Sequence, residues 1–581
     1  MVITWSLLKP GYVVSLDTAF TPSWHRGIAN LFWGYEDPIY GGYLVQHAPL
    51  ALFSLVLPPE FVQKGYIFLI FFLAGVTAHR MIAGLPQPAR YYAGLLYVLN
   101  PFVYIKAIVG SWQLLAAYAL LPLFLWALLA LLERPNLRRT AIAALAAAAI
   151  SINIHIAALG LLLLICLTLF RAVGAPRAIR RPLLGHLALL GGLSVLLSAY
   201  WLVPLLTAQP GPLSAITEQD LASFAPRSVD FGTPFTIASM HGYWASGYSY
   251  TRDSLPLWPL LLSGMLFLAI YGAVTHRLRW WVGGLALAWL LALVLGSGLS
   301  GPFAGPVREL FTYLPVFKGL RETYKLVAVL VLVYSALGAL GVAEVWRLFR
   351  SAEGSRRFTL GLLSMVLLAL PVAYSYGMFG FQGQLRPSSF PAEWHQVNEL
   401  LSQDPDDVHV LFLPWHQFMG FRWVQNRNQT IASPESFFVK RTIYAQNLEV
   451  GGVYTPSRNP GQRYVDDLLR FRAPQLSDLG SYLVPLGVRY IVLAKEADYS
   501  SYGYLYAQRD LELLLDGEYL ALFRNRHPVG RVYRVEGPEV DGQGWTPLPF
   551  EEESPVRFRV AEGVGSQMAF VAPNLDARDW R

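Results

Sequence analysis

The stretch KLVAVLVLVYSALGALGVAEVW, Lys325 to Trp346, carries no charge between its first lysine and Glu344. A bilayer core of about 30 Å is crossed by roughly 17–25 predominantly apolar residues in a helix, because no water is present there to satisfy an open backbone. Comparable runs recur at 62–81, 91–108, 112–132, 183–206, 255–274, 280–297 and 359–377, so with 324–346 the sequence predicts eight spans. This pattern, more than any motif, restricts the chain to a polytopic α-helical membrane protein. Composition agrees: 54% of the 581 residues are hydrophobic and only 14% are charged.

Basic residues cluster at 80–90, 134–139, 171–181, 277–279 and 347–357, and the positive-inside tendency puts these loops in the cytoplasm. The formal net charge of +7 is therefore a record of topology and does not point to nucleic acid. Each span must switch sides. The apolar stretch 140–170 begins and ends at basic loops, so it must enter and return, and Asn153 and His155 mark its turn; two short or re-entrant helices are expected. The segment 43–57, closed by Pro58-Pro59, is too short to cross and reads as interfacial or re-entrant. The outer side then holds residues 1–42, a long loop at 207–254, a shorter one at 298–323, and everything after 378.

Three parts follow: a first extracytoplasmic loop (1–42), a transmembrane domain (43–378) and an extracytoplasmic soluble domain (379–581). The last should be α/β and then β-rich. PAEWHQVNELL puts Trp394, Val397 and Leu401 on one helical face, and VHVLFL, GVRYIVLA, YLALF, RVYRV and VRFRV have strand composition. Only VITWSLL precedes Lys9-Pro10, so an apolar segment upstream of residue 1 is expected. The single cysteine, Cys166, excludes a disulfide framework within one chain.

Ionisable side chains are nearly absent from the predicted spans, and a proton or ion relay normally needs buried carboxylates there. This argues against an ion-coupled transporter. Polar groups gather instead at the outer rim. In VFKGLRETYKLVAVL, Lys318, Arg321 and Lys325 stand at the outward end of a span, with Arg321 and Lys325 four apart. They could grip a lipid phosphate, Arg321 forking onto two oxygens, with Glu322 orienting Arg321; the alternative is a snorkelling interfacial cluster. In the first loop, Asp17, Glu36 and Asp37 could act as general base or hold a divalent cation such as Mg or Mn; a turn or cap aspartate is the plain alternative. His241, Tyr243 and Trp244 suit sugar stacking or an interfacial belt. No P-loop lysine motif, HExxH or GxSxG is present, and no cofactor is called for. GSGLSG, 296–301, follows a span and is a helix exit instead of a dinucleotide loop.

GYVVSLDTAF, LYVLNPFVYIKAIVGSW, GLRETYKLVAVL, PAEWHQVNELL, LFLPWHQF and LVPLGVRYIVLAKEADY together resemble the GT-C superfamily of membrane glycosyltransferases. More narrowly, they resemble prokaryotic members related to the mycobacterial arabinofuranosyltransferases. That resemblance implies a polyprenyl-phosphate-linked sugar donor, transfer by inverting displacement to an extracytoplasmic glycan, lipid or protein, and a catalytic aspartate in the first outer loop. Asp17 matches by position, and Glu36-Asp37 resembles the paired acidic motif of some relatives. Arg321 and Lys325 fall where a donor phosphate would be held. The competing expectation is a non-catalytic protein of the same fold that binds or exports a glycan or glycolipid.

Overall fold

The computed structural model describes residues 2–26, 44–174, 177–207, 216–228, 231–425, 429–450, 453–455, 457, 459–529, 532–535, 560–563 and 566–570. The chain divides into two compact units: Met1–Leu8, Gly41–His47 and Lys64–Arg386 form the first, and Lys9–Tyr40, Ala48–Gln63 and Pro387–Arg581 the second.

The first unit is a helical bundle. Among the described residues six helices are long and apolar enough to cross a membrane: Pro59–Met81, Trp112–Glu133, Ile154–Gly174, Trp258–Thr275, Thr323–Arg350 and Gly354–Gly383. The bent pair Arg180–Leu197 and Ala199–Thr207 adds a seventh if it counts as one span, and Trp280–Gly296 is a shorter apolar helix. Thr323–Arg350 is the central helix, almost wholly buried. Its glycines let neighbours approach: a Cβ on Gly341 would lie 2.3 Å from the Leu268 carbonyl oxygen, so the helix Trp258–Thr275 packs backbone to backbone against it.

One expected span is split, and one expected turn holds, each for a local reason. The run 91–108 is two helices, Gln87–Val98 and Pro101–Ile108. Pro101 removes an N–H and crowds the preceding turn, and Asn100 seals the break by accepting from the Val103 amide (2.9 Å) and donating to the Leu96 and Tyr97 carbonyls (3.0 Å each). The run 140–170 breaks at 151–153, where Asn153 Oδ1 accepts from the amides of His155 (3.2 Å) and Ile156 (3.3 Å). The helix that follows, Ile154–Gly174, continues past Phe170 and reaches spanning length.

The second unit is built on a mixed sheet. Its strands are β1 (His409–Leu413), β2 (Phe418–Met419), β3 (Thr430–Ile431), β4 (Arg441–Ile443), β5 (Leu448–Val450), β6 (Val453–Thr455), β7 (Val488–Ala494), β8 (Leu511–Asp516) and β9 (Leu520–Asn525). Five of them pair in the order β4-β1-β7-β9-β8, with β1 parallel to β4 and β7, and β9 antiparallel to β7 and β8. Both faces are covered, which explains why β1 and β7 are continuous apolar runs. Leu411, Leu413, Ile491 and Leu493 face one core with Val465 and Leu468. Val410, Phe412, Val492 and Leu522 face the other with Trp394, Val397 and Leu401 of the helix Ala392–Gln403. A separate antiparallel sheet joins Val532–Val535, Ser566–Phe570 and Val560–Gly563.

Residues 11–24 belong to this second unit. Val14 and Ala19 pair across a tight turn and pack into the Trp394 core. Gln63 clamps Val13 in both directions, accepting from its amide (2.9 Å) and donating to its carbonyl (2.7 Å). Tyr12 and Ser388 exchange backbone hydrogen bonds of 2.8 Å.

Candidate functional site

The most unusual feature of the helical unit is a group of ionised side chains in a place with little water. Lys106 ends the helix Pro101–Ile108, where a cation suits the helix dipole. It is 1% exposed. Its Nζ donates to Glu322 Oε1, and the rings of Tyr243 and Tyr324 lie 4.8 and 5.9 Å from it. The other oxygen of Glu322 faces Lys325 Nζ at 3.3 Å. Burial works against the Glu322 charge, but Lys106 and Lys325 more than offset it, so the carboxyl titrates below its ordinary range.

Arg321 points elsewhere. The helical turn begins only at Thr323, so Arg321 lies in the approach to the helix and shares no face with Lys325. Its guanidinium sits 4.9 Å over the Phe224 ring and 3.5 Å from Asp220 Oδ1. Asp220 is fixed by the capping box of the helix Glu218–Ser223, accepting from the Thr217 amide (2.9 Å) and hydroxyl (2.8 Å). Glu322 therefore pairs with the two lysines and does not orient Arg321, its sequence neighbour. Among the described residues, the three cations Lys106, Arg321 and Lys325 meet the carboxylates of Glu322 and Asp220.

The nominated aromatics fall into two groups. Tyr243 is buried over Lys106, and Trp244 meets Phe224 edge-on at 4.7 Å, so both belong to the cluster. His241 is buried behind it, with Nδ1 3.1 Å from Ser239 Oγ and the rings of Tyr250, Trp258 and Tyr374 around it. Lys318 lies 5.9 Å over the Phe311 ring. The glycine run 296–301 is a helix exit pressed against the site: a Cβ on Gly298 (φ +53°) would meet Thr323 Oγ1 at 2.6 Å. In the second unit Asp17 is exposed at the tip of the turn closed by Val14 and Ala19, where the Ser15 amide donates to the Thr18 carbonyl at 3.0 Å. Glu36 and Asp37 lie outside the described residues. Among the described residues no group of three or more His, Cys, Asp or Glu side chains is arranged to hold a metal ion.

No protein-family model matches the sequence, and neither does any curated protein sequence. Solved structures do. The arabinofuranosyltransferase AftD from Mycobacteria superposes at a TM-score of 0.60, with 16% identity over 92% of this chain and 40% of that one. The chain has a GT-C fold. A point mutant of AftD matches at 0.57 with 15% identity, over 92% of this chain and 42% of that one. ArnT from Cupriavidus metallidurans in the apo state matches at 0.45 with 12% identity, over 90% and 95%. The chain thus spans about two fifths of the length of the first of these structures.

Within this GT-C fold, sequence reasoning missed Lys106 and Asp220 as partners. A lone lysine inside YIKAIV and a Thr-x-x-Asp capping box were the available signals.

The GT-C fold also carries a second charged constellation, in its soluble unit. His416, in the loop after β1, has Nδ1 2.8 Å from Glu449 Oε2 on β5 and Nε2 3.0 Å from Asp498 Oδ1 after β7. The hydrogen bond to Glu449, aided by both carboxylate charges, outweighs burial and pushes its pKa up to about 9. A raised pKa stabilises the protonated clamp fully below the ordinary value near 6.5, and that stability is lost as pH rises toward 9. Hydrogen exchange at β5 and β6, corrected for the intrinsic rate, should show about 1–2 kcal/mol of lost protection across that window, since both carboxylates are partly screened by water. In His416→Gln the protection should be flat with pH. A flat profile in the unmodified protein would show that the clamp contributes nothing.

Proposed function

We propose that the protein is an integral membrane glycosyltransferase that moves a sugar from a polyprenyl-phosphate-linked donor to an extracytoplasmic glycan, lipid or protein acceptor, with its C-terminal domain outside the cytoplasm. The observation that carries this reading is the grouping of Lys106, Arg321 and Lys325 about Glu322 and Asp220, at the end of the central span that the positive-inside pattern puts outward, in a chain with a GT-C fold. A lipid-linked donor is confined to the membrane plane, which reduces the entropy lost when it meets the enzyme. Arg321 and Lys325 would stabilise the phosphate as the bond from the anomeric carbon to its oxygen breaks. Lys106 is too deeply buried to touch the ligand and acts through Glu322, which positions Lys325. By the GT-C resemblance Asp17 would be the base that takes the proton from the acceptor hydroxyl, and a single displacement would invert the anomeric centre. Trp244, half-buried beside Phe224, would flank the sugar, with Tyr243 packed behind it over Lys106.

AftD, the neighbour named above, is an arabinofuranosyltransferase, which makes a polyprenyl-phospho-arabinofuranose the first donor to try. Full-length protein in liposomes should release polyprenyl phosphate from one member of a donor panel. Lys325→Ala should lower kcat/KM by roughly 10²–10³. Tight glycolipid binding with no release from any donor would instead favour the binding or export alternative.

A further inference from the structure

In the mixed sheet of the soluble unit, two neighbouring parallel strands send their chain ends to opposite faces. After β1 the chain crosses to β4 over the face that holds Trp394, where Met419, Phe421 and Phe438 pack. After β4 it crosses to β7 over the other face, with Ala445, Val465 and Leu468. Such a switch opens a crevice outside the carboxyl ends of the two strands. The loops that emerge at this edge supply the His416 clamp: His416 follows β1 by three residues, Glu449 follows β4 by six, and Asp498 follows β7 by four. Each carboxylate spends one oxygen on His416. Among the described residues the second oxygen of each has no hydrogen-bond partner, and the two side chains are 35% and 48% exposed. Trp415 Nε1 and the Tyr504 hydroxyl are buried, also with no hydrogen-bond partner among the described residues. Tyr502 joins the two, its hydroxyl accepting from the Trp415 amide (2.9 Å) and its ring 6.1 Å from that of Tyr504. Native interiors rarely leave such groups unmet.

From this arrangement we infer a ligand site in the soluble unit, at the carboxyl edge of β4-β1-β7 and lined by His416, Glu449 and Asp498, that takes an uncharged, hydroxyl-rich ligand of the saccharide class. The chemistry of the clamp selects the class. One imidazolium between two carboxylates leaves a net negative charge, which disfavours phosphates and other anions. Vicinal hydroxyls can donate to the open carboxylate oxygens in charge-assisted hydrogen bonds. Two tyrosine rings stand beside these oxygens to meet the apolar face of a sugar: Tyr454, directly across the β5–β6 pair from Glu449, and Tyr499, next to Asp498 and 41% exposed. A divalent cation is the competing occupant of two carboxylates. Here an imidazolium already sits between them with both nitrogens engaged, so no ring nitrogen is left to ligate. This site belongs to a different unit from the basic cluster and is independent of sugar transfer.

The test uses the full chain in detergent and follows binding of neutral linear tetra- to hexasaccharides, of hexoses and of pentoses, by titration calorimetry with no lipid-linked donor present. At least one should bind, and with it bound the amides of 415–417 should gain protection from hydrogen exchange. Glu449→Gln and Asp498→Asn should each weaken binding about tenfold, since each removes a charge-assisted hydrogen bond, while Glu512→Gln on β8 should leave it unchanged. Thermal melts show which variants stay folded, and Tyr499→Ala, exposed and outside the core, should weaken binding severalfold even if a carboxylate variant does not fold. Absence of binding across the panel overturns the inference, as does binding that the folded variants all leave unchanged. Ca2+ held by the same carboxylates with no saccharide bound overturns it in favour of a cation site. Because no donor is present, failure here and failure of the glycosyltransferase reading are separate results.

Discussion

Glu322→Ala is expected to destabilise the helical unit by about 3–5 kcal/mol, among the largest single-residue effects in the molecule. The reason is the asymmetry of buried ion pairs. Lys106 and Lys325 both rely on Glu322, and Lys106 is 1% exposed, so removing the carboxylate strands two like charges in a medium that cannot solvate them. Replacing the pair together is a different matter. Lys106→Met with Glu322→Gln removes the buried ammonium and keeps a hydrogen-bonding group beside Lys325, and should recover most of the loss. Unfolding titrations in detergent, with the double-mutant cycle closed, check this. A loss under about 1 kcal/mol for Glu322→Ala would mean that water reaches the pair. Function should not follow stability here: the double variant is expected to fold yet hold a phosphate ligand poorly, because Lys325 loses the anchor that positions it.

What could be read from sequence divides along a physical line. Spans are local, since a run of apolar residues announces itself regardless of neighbours, and 62–81, 112–132, 255–274, 324–346 and 359–377 all fall on apolar helices of spanning length. The soluble helix was legible because Trp394, Val397 and Leu401 repeat with its period, and β1, β7 and β9 because strands covered on both faces become continuous apolar runs. β8 escaped notice: LELLLD carries acidic residues at both ends, and only pairing with β9 makes it a strand. The helix break at Asn100-Pro101 is a capping event inside an apolar run, where hydropathy is blind, whereas the polar Asn153 marked the break at 151–153. Pairing was the least legible part. Lys106 and Glu322 are 216 residues apart, and nothing local tells either of them about the other. Adjacent Arg321 and Glu322 looked like partners, yet consecutive residues do not face each other, and each found its counterion on a distant segment.

Asp17→Asn should reduce kcat by roughly 10²–10⁴ while leaving the fold and donor KM nearly unchanged. Asp17 is exposed at the tip of the Val14–Ala19 turn, and asparagine matches its size and shape, so the fold should change little. The turn itself is held by Gln63, Tyr12 and the Trp394 core. Asparagine keeps the shape and the capacity to accept a hydrogen bond but cannot carry away a proton. The loss should therefore appear in kcat, with phosphate binding by Arg321 and Lys325 preserved, and the acidic limb of the pH–rate profile should vanish together with the activity. Glu36→Gln and Asp37→Asn, measured alongside, identify which carboxylate serves as base: the variant that loses both turnover and the acidic limb is the one. Normal turnover with an unaltered pH profile in Asp17→Asn would take Asp17 out of the reaction and move the role to the Glu36-Asp37 pair.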